Sequence, residues 1–175
     1  MPAAAWCGLF WPDADLLLVP LIGHRSILTH SVLAPLLLLT IWRHRVTAPT
    51  VAWFSFGIAT HLVADLFPRA WVGFALVQLP PGLGSLGPLS PLWIGGNALV
   101  ALWLCEWLLR HEGLAMTRLH QVGSAAVVAL YMLLNEGKPL LALVAGAAWW
   151  ATIHVVRVRL AARRPPLPGL GAGET

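Results

Sequence analysis

Apolar residues along this chain fall in long runs, broken at a few points by clusters of polar side chains. A membrane-crossing helix needs roughly 20 mainly apolar residues, with about 17–25 as the working range. Runs at residues 26–42, 51–67, 92–109 and 140–156 meet or approach that length. A fifth run, 122–134, is short, and becomes long enough if residues 117–121 or Asn135 continue its helix. Residues 3–22 are apolar but interrupted by Pro12, Asp13, Asp15 and Pro20. They lack the basic start and small-residue cleavage site of a signal peptide, and read as an interfacial or half-inserted segment. Residues 68–91 hold five prolines and four glycines, which predicts a surface or re-entrant loop over one membrane face. The expected fold is therefore all-α: a polytopic transmembrane helix bundle of about five spans. Residues 1–162 would form a single integral membrane domain, and the Pro/Gly-rich residues 163–175 a disordered cytoplasmic tail.

Composition strengthens this picture. Of 175 residues, 58% are hydrophobic and only 10% charged. Soluble domains carry roughly 25% charged residues, so an ordinary aqueous surface cannot be built from this chain. The cations are ten arginines and Lys138. In a membrane protein such an excess marks cytoplasmic loops, and no nucleic-acid partner is expected; the partner is the lipid bilayer. With five spans, Arg43, Arg45, Arg110, Arg118, Arg157, Arg159, Arg163 and Arg164 share one side, and Arg25, Arg69 and Lys138 the other. The larger group belongs inside, which puts the C-terminus in the cytoplasm and His24 and residues 68–91 outside. Trp42, Trp53 and Trp93 stand at span ends, as interfacial anchors do. Cys7 and Cys105 match no metal or redox spacing and read as packing residues.

The remaining polar residues are few and clustered. The first two spans run in opposite directions, so the start of one is level with the end of the other. Asp13, Asp15, His24, Arg25, Thr29, His30, His61 and Asp65 can then all meet at the outer interface. His61 and Asp65 are four apart and share a helix face, a spacing that suits two ligands of one metal or a histidine oriented by a carboxylate. With Ser26 as the N-cap of the first span, His30 projects from the first full turn and His24 lies in the preceding loop, able to fold back over the site. The Arg25 fork suits a phosphate or carboxylate. Pro35 either kinks the span just below His30 or reflects the frequency of proline in membrane helices. Ionisable groups at bilayer depth cost roughly 2.5–3.5 kcal/mol each, so the set reads as a metal or catalytic site rather than as separate packing residues. Elsewhere His44, His111 and His120 read as loop residues and His154 lies beside the cytoplasmic arginines. Glu106 pairs with Arg110 one turn on, and Glu136 and Lys138 mark an outer turn.

"PDAD" (12–15), "HRSILTHS" (24–31) and "HLVADLF" (61–67) together resemble the bacterial membrane-bound metal-dependent hydrolases, also described as LexA-binding, inner-membrane-associated hydrolases. The resemblance covers about the first 95 residues. Family members carry a fuller first helix with its own early histidine, where this chain has "AAAWCGLFW", which reads as a shortened start. A glycine expected after His-Arg is Ser26, the stretch to Thr29 is one residue longer, and a histidine that often follows the second aspartate is Leu16.

The resemblance implies a hydrolase of the bacterial inner membrane that uses a divalent metal. Chemistry then assigns ligands: Asp13 or Asp15, His30, His61 and Asp65 would hold the ion. Nitrogen and oxygen donors without thiolate suit zinc, with manganese second. His24 would be a further ligand or the acid that protonates the leaving group, and Arg25 would grip a phosphoryl oxygen. The outer-interface position suggests an amphiphilic ester or phosphoester, such as a lipid. Two other classes remain: a non-catalytic membrane protein with a structural metal or polar site, and an ion or proton transporter using His61 and Asp65 as a relay.

Overall fold

A computed structural model describes residues 2–42 and 44–162. The expected tail at 163–175, with Arg163 and Arg164, and Arg43 lie outside the described residues. The fold is all-helical, and no strand occurs among the described residues. Seven α-helices follow in order: α1 (Ala3–Phe10), α2 (Val19–Ile22), α3 (Leu33–Ile41), α4 (Ala48–Ala64), α5 (Ser90–His111), α6 (Arg118–Glu136) and α7 (Pro139–Ala162). A 3-10 helix, Pro12–Leu18, joins α1 to α2.

Helix α4 is the centre. Val51, Ala52, Phe56, Ile58, Ala59 and Leu62, on all sides of it, are inaccessible. A helix apolar all round is stable only when neighbours surround it, and α1, α5 and α6 provide them. The approach of α1 is unusually close. A Cβ on Gly8 would run into the Phe54 carbonyl, and one on Gly57 into the Ala5 carbonyl. Small residues at the crossing let two backbones touch. The N-terminal segment, expected at the interface, is thus packed against α4 along α1.

Two helices, Gly87–His111 and Pro139–Ala162, are long and apolar enough to cross a membrane. Helix α4 is apolar but shorter. The fifth run is extended at both ends within α6, where Thr117 accepts the His120 N–H and left-handed Gly137 ends the helix. Helix α6 is not among the helices apolar enough to cross, so two of the five expected spans qualify. Buried hydroxyls pin this layer. The Thr60 and Ser124 oxygens are 2.7 Å apart, and the Trp149 indole N–H donates to Ser124, which ties α4, α6 and α7 together. At the other end Glu106 lies 3.6 Å from Arg110, as expected, and also 3.4 Å from Arg157 on α7.

The run 26–42 is not one helix. Only Leu33–Ile41 is helical, and residues 23–32 form consecutive turns. The reason lies in competing partners for the backbone. The N–H groups of Ser26, Ile27 and Val32 donate to Asp15, the Gln78 carbonyl and the Asn97 side chain. Ser31 donates to the Leu28 carbonyl and accepts the Leu33 N–H. Ser and Thr side chains favour such local alternatives to a helix. Two expectations change with this. Ser26 is not a helix N-cap, since Val32 is. Pro35 is the third residue of α3, where an N–H has no intrahelical partner to lose, so no kink is imposed. The Pro/Gly-rich segment also does more than run over a surface. Gln78 pairs with Arg25 and Ile27 by backbone bonds of 3.0 and 2.9 Å, and Val77 is fully buried.

Candidate metal centre

The site forms where the end of α1, the turns 23–32 and the end of α4 converge. His61 lies in the last turn of α4, and its Nδ1 is 2.8 Å from the Leu9 carbonyl of α1. A carbonyl only accepts, so Nδ1 carries the proton and Nε2 keeps its lone pair. His30, fully buried, is fixed in the same sense. Its Nδ1 lies 3.1 Å from the Thr29 hydroxyl and 3.3 Å from Asp15 Oδ2. Thr29 donates its own proton to Asp15 at 2.7 Å, so His30 Nδ1 is the donor and its Nε2 points away with a lone pair.

Asp65, the C-cap of α4, is oriented by Arg25. The guanidinium donates to Oδ1 at 2.9 Å, leaving Oδ2 to face His30 Nε2 at 3.1 Å and His61 Nε2 at 3.4 Å. These three atoms, His30 Nε2, His61 Nε2 and Asp65 Oδ2, are buried and have no hydrogen-bond partner. Buried polar atoms are almost always paired. Three acceptors aimed at one another repel unless a cation lies among them, either a metal ion or a proton on His30 Nε2 shared with Asp65. Asp13 Oδ1 approaches from the open side, 3.7 Å from His61 Nε2. Asp13, His30 and His61 could hold a metal ion, their ligand atoms all lying within 4.8 Å of one another. Four ligands about 2.0–2.1 Å from a tetrahedral ion stand about 3.3 Å apart. The separations around His30, His61 and Asp65 match that scale.

Asp15 stands elsewhere than expected. It lies on the Nδ1 side of His30, away from the converging lone pairs. Its Oδ2 accepts the Ser26 N–H and the Thr29 hydroxyl, and its Oδ1 lies 3.0 Å from His24 Nδ1. Burial pushes its carboxyl pKa up, but the bonds from His24, His30, Thr29 and Ser26 outweigh it and hold the group well below the usual carboxylate range. A carboxylate behind a ligating histidine sets the ring's tautomer and angle.

Arg25 also departs from expectation. It is 5% exposed, with a left-handed backbone (φ 54°) that turns the side chain inward. Besides Asp65 Oδ1 it donates to the Asp65 and Ala75 carbonyls and lies 5.9 Å from the Trp71 ring. Its fork closes on the protein, so it cannot reach out to a phosphoryl oxygen. His24 is the more accessible of the pair, with 22% of its side chain exposed. Its ring stands edge-on to His30 at 5.9 Å and tilted by 52° to Phe74 at 6.4 Å.

The Leu9 and Ala75 carbonyls were not foreseeable, because a backbone oxygen leaves no mark in a sequence, and Trp71 reaches Arg25 from 46 residues away with no motif to mark it. Comparison with protein-family models, curated proteins and solved structures finds no match.

Proposed function

We propose that this protein is a membrane-embedded, metal-dependent hydrolase, with Asp13, His30, His61 and Asp65 holding a divalent ion, zinc before manganese. The observation that carries the reading is the convergence of three buried, unpartnered acceptor atoms on one point. The resemblance of residues 12–15, 24–31 and 61–67 to membrane-bound metal-dependent hydrolases supports it. When bound, such an ion acidifies a water molecule and polarises an ester oxygen. The chain's own residues do the rest. Arg25 and Asp15 fix the angles of Asp65 and His30. Asp15 accepts a hydrogen bond from His24 Nδ1 at 3.0 Å, which orients the ring so that Nε2 can hand a proton to a leaving group.

In this reading α4 to α7 and the α3 region make five crossings of an inner membrane, with the C-terminus cytoplasmic. Exposed apolar residues support it: Leu119 (79%), Leu140 (73%) and Leu143 (68%) would meet lipid. A structural metal site is closed on all sides, whereas catalysis needs an accessible position. The Asp13 side chain is 42% exposed, which favours catalysis. A relay would need ionisable residues linking the site to Glu106. The layer between is Thr60, Ser124 and Trp149, which disfavours transport. Metal analysis of detergent-purified protein tests the proposal. About one zinc per chain is expected in the wild type and none in His61→Ala. A folded wild type without metal would refute it.

A further inference from the structure

Arg25 does more than orient Asp65, because its two amino groups reach different parts of the chain. Nη2 donates to Asp65 Oδ1 and Nη1 to the Ala75 carbonyl, each at 2.9 Å. The Trp71 ring lies 5.9 Å from the same guanidinium. One buried cation thus holds a proposed metal ligand and both flanks of the tight turn 71–75. Left-handed Gly73 (φ 55°) reverses the chain inside that turn. The Ala75 and Leu76 N–H groups close it by donating to the Val72 and Gly73 carbonyls. The side chain this turn presents is Phe74. Its ring centroid is 6.4 Å from that of His24, which in turn stands 5.9 Å from His30. Exposure falls along this series, from 70% at Phe74 to none at His30. Phe74 is the most exposed of the five phenylalanines, and Val72 beside it is exposed too. An aromatic ring held off the protein by a turn fastened at both ends contributes little to folding. Its apolar surface is left for another apolar group to cover.

We propose that Phe74 is a specificity-determining residue, which holds the hydrocarbon chain of an amphiphilic ester at the mouth of the metal centre, beside His24. The inference rests on the metal-centre reading and narrows its substrates to esters that carry a long apolar chain. Position favours a substrate chain over a bilayer anchor as the occupant. An anchor needs neither contact with the His24 ring nor a tether, through Arg25, to Asp65. A chain joined to an ester whose oxygen meets the ion passes His24 and then Phe74 on its way out. Each methylene buried strengthens binding about fourfold, and an aromatic ring covers about two or three of them.

The test uses full-length protein in detergent, loaded with Co2+ as a visible reporter. It is titrated with acetohydroxamate and octanohydroxamate, two metal-binding probes that differ only in chain length. The ratio of their Kd values, compared across variants in one detergent, cancels uptake of the longer probe by micelles. Phe74→Ala should keep the cobalt, its spectrum and its affinity for acetohydroxamate. Its Kd for octanohydroxamate should rise about fivefold or more, whereas Phe74→Leu should restore most of the loss. Leu119→Ala, which removes an exposed apolar side chain from α6, should leave both constants unchanged. An unaltered ratio in Phe74→Ala, equal weakening of both probes, or the same loss in Leu119→Ala would each overturn the role of Phe74 while leaving the metal centre standing. Cobalt binding with no response to either probe would overturn that role and the open coordination position together. Failure of wild type to bind cobalt would overturn the metal-centre reading itself.

Discussion

Gly8 is five residues from the nearest proposed ligand, Asp13, and carries no ligand atom itself, yet replacing it with alanine should weaken metal binding. The new methyl would run into the Phe54 carbonyl, which belongs to the rigid backbone of α4. Restoring an ordinary contact of about 3.5 Å requires α1 to back away by about an ångström or more. The Leu9 carbonyl is the next residue on α1 and moves with it. Its 2.8 Å bond to His61 Nδ1 then stretches past the ~3.2 Å limit of a useful hydrogen bond. His61 loses the partner that sets its tautomer, and Asp13, three residues beyond the end of α1, shifts as well. Loss of such a supporting bond typically costs about 10–100-fold in metal affinity, and overpacking of this kind about 1–3 kcal/mol of stability. Zinc affinity by competition with a chelator, with thermal unfolding alongside, measures both. Gly96→Ala is the control, since a Cβ there meets nothing within 4 Å. Gly8→Ala protein with wild-type zinc affinity and unfolding temperature would refute the reasoning.

Arg25→Gln should lower stability by about 3–5 kcal/mol, because it leaves the Asp65 carboxylate buried without its cation, and should weaken metal binding. Chemical denaturation and zinc titration check this; a variant that holds zinc normally and is impaired only toward substrate would restore the phosphoryl-gripping role instead. Asp15→Asn should retain zinc with affinity reduced about 10–100-fold, whereas Asp65→Ala should hold none. Equal loss of stoichiometry in the two would make Asp15 a direct ligand.

Much of the architecture could be read from the chain. The runs at 92–109 and 140–156 sit inside α5 and α7, and the i, i+4 spacing of His61 and Asp65 does bring both to one point. The gathering of Asp13, Asp15, His24, His30, His61 and Asp65 followed from two antiparallel segments alone. What failed was the conformation of residues 23–32. An apolar count treats residues 26–42 as uniform, but Asp15, Gln78 and Asn97 take the backbone groups that a helix would use. Those partners are distant in sequence, so no local pattern announces them. Arg25 illustrates the same limit. Its donors looked free because Asp65 and Ala75 are 40 and 50 residues away.

A nascent chain cannot assemble this centre in the order of its synthesis. Helices α1 and α3 have 8 and 9 residues, too few to cross a bilayer unaided, and α1 has no docking surface until α4 exists. At about 5–20 residues per second, Asp65 leaves the ribosome some 3–10 s after Asp13. Gln78, which closes the turns around Arg25, follows later still. For that interval Asp13 and His30 Nε2 wait for His61 and Asp65, while Asp15, His24 and His30 can already pair with one another. The arrival of α4 therefore completes the cluster of Asp13, His30, His61 and Asp65.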